Sequence, residues 1–163
     1  MFNPYYGENG WDKLLPYNKL NTVEQFLLSK YPKLEYSGHG GSCVAFFDGY
    51  NEIIKVCIKK GLMTKNSKKF IAFSNFLLDH KIKILPPKSV IYEDDNFFIY
   101  TQDLCAPIYT INHLSMVKIL KIIVKLIKNK IKIADLFYKN FGIKNGDIYI
   151  YDFHDYGFFY SDD

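Results

Sequence analysis

Apolar residues recur at helical spacing in three parts of the chain. The segment TVEQFLLSKY follows a possible N-cap at Asn21 or Thr22 and predicts a short helix, which Pro32 ends. A second helix, crossing a sheet, is predicted over KKFIAFSNFLLDHK. The longest helix is predicted over 112–132, where apolar residues and lysines each recur every three or four positions. We expect the apolar set to face the core and the lysine set to face solvent: Leu114, Val117, Leu120, Val124 and Ile127 against Lys118, Lys121, Lys125, Lys128 and Lys132.

Between the first two helices the pattern changes to β-type residues separated by turn signals. Three antiparallel strands are predicted at about 34–38, 42–47 and 52–59, with a glycine cluster in the first connection and DGYN in the second. After the second helix, SVIYEDDNFFIYTQDL predicts a hairpin around the Glu93–Asn96 turn. These five strands and the crossing helix predict an antiparallel α+β unit.

The two ends of the chain differ in pattern. The first twenty residues, rich in Tyr, Asn, Gly and Pro, predict an irregular arm that packs through its aromatic side chains. Near the other end, strands are predicted at 141–144 and 147–152, because Asn145-Gly146 suits a type I′ turn. No internal repeat or interdomain linker is visible, and 163 residues suffice for a single domain with one core.

The charge and the lysine content of the chain limit the classes of molecule that it is expected to bind. The formal charge is +4, and every positive residue is Lys, because the chain has no Arg. Guanine edges and bidentate phosphate contacts favour the guanidinium group, so we do not expect nucleic acid as a partner. The lysine row on the long helix could bind anionic lipid or nucleic acid, but such rows are usually solvated faces.

The spacing of the cysteines and the hydropathy of the chain indicate the cellular compartment in which the protein is expected. Cys43, Cys57 and Cys105 are odd in number, widely spaced and form no C-x-x-C pair, so we expect reduced thiols rather than disulfides or a zinc site. The N-terminus lacks a signal-peptide layout, and no apolar run approaches 18 residues. These features predict a cytoplasmic protein without a membrane span.

Two features of the strand region could bind phosphate. Gly38-His39-Gly40-Gly41-Ser42 lies between two strands, where backbone N–H groups can approach a phosphate because no Cβ intervenes, although the same cluster would serve as a plain connection. Lys55 lies inside the apolar strand EIIKVCI on the face shared by Ile53 and Cys57. It needs either a solvent-facing direction or an anionic partner.

The later part of the chain adds carboxylates and an amide. Asp135 is followed five residues later by Asn140, and Asp152 comes just after the second predicted hairpin. Phosphoryl transfer to a hydroxyl needs a carboxylate that orients the nucleophile, together with a carboxylate and an amide oxygen that hold magnesium against the phosphates. The spacing D-x-x-x-x-N, hairpin, D-F is compatible with that requirement.

Taken in order, these motifs resemble the protein-kinase fold in a much reduced form. Gly38–Val44 matches the glycine-rich loop, Lys55 the third-strand lysine, and IYTQDL the strand that enters the hinge. Asp135 and Asn140 match the catalytic-loop pair, and Asp152 matches the metal-binding aspartate of D-F-G. The stretch NFGIKNGDIYIYDFHDYG is similar to the small kinase-like proteins of large DNA viruses, which would place the protein in host cytoplasm or in a virion.

The resemblance implies a minimal two-lobed α+β kinase-like fold, with a five-stranded antiparallel small lobe, one crossing helix, and a truncated large lobe of one long helix plus a hairpin. The single domain 1–163 would divide into an arm and short helix (1–33), the small lobe (34–104) and the large lobe (105–163). ATP would lie between the lobes.

The resemblance also implies roles for single residues. The loop residues would cover the phosphates, Lys55 would hold the α and β phosphates as a catalytic residue, and Asp135 would orient the accepting hydroxyl. Asn140 and Asp152 would coordinate Mg²⁺. The loop residues concerned are Gly38, Gly40, Gly41 and Ser42.

Several departures from the kinase pattern are visible in the sequence. Cys43 replaces the third loop glycine, H-R-D reads Ile133-Ala134-Asp135, and D-F-G reads Asp152-Phe153-His154. The second helix has no Glu to pair with Lys55, which leaves Asp79 as its acidic candidate. The helices that bind protein substrates in a full kinase are absent from this sequence, so we expect the apolar face of the long helix to be covered by the N-terminal arm, the aromatic tail or a second subunit.

Three functions remain open at this point. The first is an ATP/Mg-dependent phosphotransferase that acts on a protein or small-molecule hydroxyl, which is favoured because Lys55, Asp135, Asn140 and Asp152 are all retained. The second is a pseudokinase that works by interaction, which the departures from the kinase pattern favour. The third is a scaffold for an apolar surface that forms a homodimer.

Overall fold

The computed structural model describes residues 17–39, 43–59, 66–133, 136–153 and 156–158. Within these ranges three α-helices and ten strands follow one another, with one 3-10 turn before the last hairpin. In chain order they are α1 (Tyr17–Lys30), β1 (Glu35–His39), β2 (Cys43–Phe47), β3 (Glu52–Ile58), α2 (Ser67–Asp79), β4 (Pro87–Glu93), β5 (Phe97–Asp103), β6 (Ala106–Pro107), α3 (His113–Lys128), β7 (Ile131–Ile133), the 3-10 turn (Tyr138–Asn140), β8 (Phe141–Lys144), β9 (Asp147–Ile150) and β10 (Tyr156–Phe158).

The first five strands form one antiparallel sheet in the order β1-β2-β3-β5-β4. This confirms the predicted α+β architecture with a five-stranded antiparallel sheet, and it is compatible with the minimal kinase-like fold. The strand that carries Lys55, β3, is central and pairs with β5 so that Lys55 lies opposite Tyr100.

Helices cover the two faces of this sheet. On one face, Val23 and Leu27 of α1 join a core cluster with Ile54, Val56 and Ile99 of the strands. On the other face, α2 begins after its N-cap Asn66 and packs its aromatic side chains against β5. Because β3 is covered on both sides, its side chains from 54 to 58 are all buried.

The first helix corrects one prediction. It begins at Tyr17, five residues before the predicted start, so the cap candidates Asn21 and Thr22 lie inside the helix. Helix propensity and capping preference are weak signals that tertiary packing overrides, and here the helix is held by burial of Val23 and Leu27 against the sheet. The rest of the predicted arm lies outside the described residues.

The remaining elements form a second, smaller layer. The predicted hairpin is confirmed as β8 and β9, and Asn145 (φ 51°) and Gly146 (φ 78°) both adopt the left-handed conformation that a type I′ turn needs. β6 adds to β8 on the other side, and β7 pairs with β10. These three added strands have only two or three residues each, too few for a period-two pattern to mark them in the sequence.

The face of α3 that enters the core differs from the predicted one. Its buried residues are Ser115, Ile119, Ile122 and Leu126, whereas Leu120, Val124 and Ile127 are exposed. Apolar residues cover more than half of this helix, so two apolar stripes fit the same period. The stripe that contains Ile119, Ile122 and Leu126 is the one buried in the structure. Beside it, two lysines donate hydrogen bonds to backbone carbonyls: Lys118 Nζ to Gly146 O at 2.6 Å and Lys125 Nζ to Lys81 O at 2.7 Å.

The prediction of three reduced thiols was wrong for two of them. Cys43 on β2 lies directly opposite Cys57 on β3, and their sulfur atoms form a disulfide. Spacing along the sequence cannot show this pairing, because it depends on the register of the two strands. Cys105 is a free thiol.

Membrane insertion through a helix finds no support in the described elements: none of these helices is both long enough and apolar enough to cross a bilayer.

Candidate active site

Lys55 is buried in the interior of the protein. It is 4% exposed, and its Nζ donates a hydrogen bond to the backbone oxygen of Tyr151 at 2.6 Å. Burial lowers the pKa of this amine, whereas the carboxylate of Asp152 and the thiol of Cys105 act to raise it. A buried ammonium needs anionic or carbonyl oxygens around it, and the segment that follows β9 supplies the Tyr151 carbonyl oxygen.

The β8–β9 hairpin brings Asn140 beside Asp152. Its register pairs Phe141 with Ile150, and the backbone N–H of Tyr151 donates to the oxygen of Asn140 at 3.0 Å. The residue before β8 and the residues after β9 are therefore neighbours, with Asn140 buried and Asp152 half-buried. Three of the predicted site residues, Lys55, Asn140 and Asp152, thus converge on the segment 151–152.

The residue after Asp152 fixes the position of this segment. Phe153 is 1% exposed, and its ring stacks on Phe70 of α2 at a centroid distance of 5.2 Å. Phe70 in turn packs on Tyr100 of β5 at 5.2 Å. The segment is therefore held on one side by an aromatic core contact and on the other by the bond from Lys55.

Two tyrosines complete the surroundings of Lys55. Burial, aided by the charge of Asp152, raises the pKa of Tyr100 well above its usual value, so its hydroxyl stays protonated. Burial, with smaller effects of Cys105 and Asp152, raises the pKa of Tyr151 to about 12. The Tyr151 ring centre lies 5.2 Å from Lys55 Nζ, and its hydroxyl donates to Lys139 O. The sequence analysis missed both, because aromatic residues in strands usually indicate only packing.

One side of the site is built by close packing between β8 and the segment after β5. A Cβ placed on Gly142 would lie 2.4 Å from Cys105 Sγ and 3.1 Å from Tyr151 Cδ1. The absence of a side chain at Gly142 therefore allows β8 to lie this close to Cys105 and Tyr151. A glycine inside a strand is the sequence signal that could have indicated this close approach. Burial raises the pKa of the Cys105 thiol.

Helix α2 offers Lys55 no carboxylate. The acid that the sequence left as a candidate partner, Asp79, is the last residue of α2 and is exposed. It forms no ion pair with any part of the chain that the structure describes. Aromatic packing of Phe70 occupies the inner face of α2 instead.

Of the other predicted site residues, the structure describes Gly38 alone. Gly38 lies in β1, opposite Ala45, with open space where a Cβ would be. Gly40, Gly41, Ser42 and Asp135 lie outside the described residues, as do His154 and Asp155.

The oxygen donors of the site suit a hard cation. No group of three or more His, Cys, Asp and Glu side chains that could hold a metal occurs within the described ranges. The Asp152 carboxylate and the Asn140 amide are the oxygen donors that Mg²⁺ takes in sites completed by water and substrate phosphates. The residues present therefore fit Mg²⁺ brought with a nucleotide.

Comparisons with known proteins find likenesses among solved structures. No family model and no curated protein matches the chain. Among solved structures, the gentamicin–APH(2″)-IIa complex aligns with 87% of this chain and 71% of that one, at 14% sequence identity and a TM-score of 0.46. A likeness of this size carries no argument about function, so the function has to be argued from the site.

Proposed function

We propose that the protein is an ATP/Mg-dependent phosphotransferase of the protein-kinase type, acting on a hydroxyl group. The observation that carries the proposal is the placement of Lys55: a buried ammonium bonded to the carbonyl of the residue before Asp152, with Asn140 held alongside by the hairpin. A lysine buried among apolar strands destabilises the fold unless its charge is paired. Phosphate groups beside it would supply the opposite charge.

Each residue then has one task. Lys55 binds the α and β phosphates, Asp152 and Asn140 hold Mg²⁺, and Asp135 orients the acceptor hydroxyl for attack. Bound Mg²⁺ supplies positive charge against the phosphate oxygens. The glycine-rich loop, from Gly38 through Ser42, covers the phosphates with backbone N–H groups. The acceptor would be a protein or a small molecule, and the cytoplasm of a virus-infected host, or the virion, would be the setting.

A pseudokinase that acts by interaction is the second candidate. It is favoured by α2, which presents Phe70 and no carboxylate toward Lys55. Without that carboxylate, the ammonium is held by the Tyr151 carbonyl at 2.6 Å. For a pseudokinase, the residues around Lys55 are structural and the function lies on the surface.

Calorimetric titration with ATP, with and without Mg²⁺, tests the proposal. We expect binding that requires Mg²⁺, and a loss of at least about tenfold in affinity for Lys55→Met and for Asp152→Asn, since charged hydrogen bonds to phosphate contribute about 1.5–3 kcal/mol each. Matched controls remove the same charges at exposed positions: Lys68→Met on α2 and Asp95→Asn in the β4–β5 turn.

The transfer step is tested separately. Asp135→Asn should retain Mg-ATP binding and lose phosphoryl transfer, measured as release of ADP with an added hydroxyl acceptor. Unchanged affinity in Asp152→Asn would contradict the metal assignment. No binding at millimolar ATP would reject the phosphotransferase and leave the pseudokinase.

A further inference from the structure

A groove of about 640 Å³ runs along the outward side of α3. One wall of the groove is the helix itself, and the other is formed by the segment after α2 together with β9. Along α3 the lining extends from Val117 to Lys128, a length of about 16 Å or three helical turns. A groove of this length can hold a short segment of polypeptide.

The floor of the groove is apolar and in contact with solvent. Leu120 and Val124 lie one helical turn apart in the lining and are 51% and 47% exposed. Val117 and, on the opposite wall, Ile148 continue the apolar lining. Burial of this surface by a partner would favour association, because apolar area would be removed from water.

Lysine side chains surround this floor. Six lysines line the groove against a single acid within the described residues, Asp147. Lys83 and Lys118 share that acid, with Nζ–Oδ distances of 2.8 Å and 3.7 Å, and Lys125 donates to a backbone carbonyl. The other three ammonium groups have no anionic partner in the described part of the chain: Lys81, Lys121 and Lys128.

The needs of the helix do not account for all of this charge. α3 contains no acidic residue, and like charges three or four positions apart on a helix repel one another. Lysines in the last turn, such as Lys125 and Lys128, interact favourably with the helix dipole, but Lys121 lies in the middle of the helix. An acidic partner would supply the opposite charge.

The shape and the charge of the groove together select the occupant. Nucleic acid would bring phosphates but no apolar side chains for the floor, and a flat bilayer surface does not match a groove with two walls. A symmetric antiparallel pair of α3 helices would bring the two lysine rows to the same edge, where like charges oppose association. An acidic amphipathic helix supplies both apolar side chains and carboxylates in a rod of matching length.

We propose that the α3 groove is the docking site for an acidic amphipathic helix of another protein. The apolar side chains of that helix would contact Leu120 and Val124, and its carboxylates would pair with Lys81, Lys121 and Lys128. The proposal does not depend on phosphoryl transfer, because no residue of the groove is assigned to the site around Lys55.

Fluorescence anisotropy with a labelled peptide tests the proposal. The probe is a peptide of about three helical turns, with leucine at every third and fourth position and glutamate elsewhere. We expect saturable binding to the full chain, and binding at least about tenfold weaker for two matched peptides, one with lysine for each glutamate and one with serine for each leucine. Absence of saturable binding of the glutamate peptide would overturn the proposal.

Charge reversal locates the binding in the groove. Lys121→Glu with Lys128→Glu should weaken the glutamate peptide by at least about tenfold and should strengthen binding of the lysine peptide. Lys30→Glu with Lys68→Glu makes the same change of net charge at exposed positions on α1 and α2 and is the matched control. Equal effects of the two double variants would mean that the peptide responds only to net charge, and would overturn the proposal.

The apolar contact is tested in the same way. Leu120→Asn with Val124→Asn should weaken the glutamate peptide severalfold, whereas Leu28→Asn with Leu78→Asn, at exposed positions on α1 and α2, should leave its affinity unchanged. Because all four side chains are exposed, the variants should fold as the wild type does. Unchanged affinity in the Leu120/Val124 variant would overturn the proposal.

Two other occupants give distinct results. Cosedimentation with phosphatidylserine vesicles that is lost in the Leu120/Val124 variant, without peptide binding, would assign the face to a membrane and overturn the proposal. A dimer, detected by light scattering and broken by the same variant, would assign the groove to a second copy of the chain and would also overturn it.

Discussion

At the scale of single residues, the site is organised around charged and polar groups removed from water. Lys55 is surrounded by apolar strands, yet its amine reaches one carbonyl and is influenced by one carboxylate, Asp152. Tyr151 contributes that carbonyl and also places its ring beside the amine. A substitution of Tyr151 should therefore alter both the free energy of unfolding and the surroundings of the Lys55 amine.

The alkaline stability of the protein should depend on Tyr151. An unfolded tyrosine ionises near pH 10, whereas the folded state holds the pKa of Tyr151 at about 12. Between these two values the unfolded state loses its proton first, so the free energy of unfolding falls as pH rises. Tyr151→Phe should remove the part of this decrease in unfolding free energy that comes from ionisation of Tyr151.

Urea unfolding between pH 9 and 12 measures this effect. Tyr50→Phe, at an exposed position, is the matched control and should keep the wild-type slope. If Tyr151→Phe and the wild type lost stability in parallel, the hydroxyl would not be protected by folding.

At the scale of elements, the β8–β9 hairpin does most to assemble the site. Its type I′ turn sets the register, the register places Asn140 against Tyr151, and Asp152 follows. The hairpin also packs against the segment after β5, through Gly142 and Cys105. The closeness of that packing can be tested by adding a single methyl group.

Gly142→Ala should destabilise the protein. The added Cβ would lie 2.4 Å from Cys105 Sγ, and overpacking of this kind costs about 1–3 kcal/mol of unfolding free energy. Denaturant unfolding gives the value. In a Cys105→Ala background the sulfur is absent, so the same substitution should cost clearly less; equal costs in both backgrounds would place the strain elsewhere.

At the scale of the whole molecule, the five-stranded sheet lies between α1 and α2, and the Cys43–Cys57 disulfide ties β2 to β3 within it. The bond lies on the strand that carries Lys55 and at the end of the loop expected to cover phosphates. The stability of the fold therefore depends on whether Cys43 and Cys57 are oxidised or reduced.

Reduction should lower the stability of the whole fold. A bond that closes a loop of about 15 residues stabilises by roughly 3 kcal/mol through the entropy of the unfolded chain. Unfolding in denaturant, with and without a thiol reductant, should show a loss of that order. The Cys43→Ser/Cys57→Ser double variant should not respond to reductant, whereas Cys105→Ser should respond as the wild type does.

The sequence by itself determined the elements that local signals mark. Period-two runs with turn residues located the five strands of the sheet, and Asn145-Gly146 located the hairpin, because φ and ψ preferences act within a few residues. The pattern around Lys55, Asn140 and Asp152 selected three residues that the structure brings together.

Only the tertiary structure decided which surfaces meet. The pairing of Cys43 with Cys57 depends on strand register, and the choice between the two apolar stripes of α3 depends on what packs against it, so neither is encoded in local spacing. The same holds for Tyr151, whose importance comes from a contact with a lysine 96 positions away. Long-range contacts are made by the folded chain as a whole, and for that reason they cannot be deduced from any one segment of it.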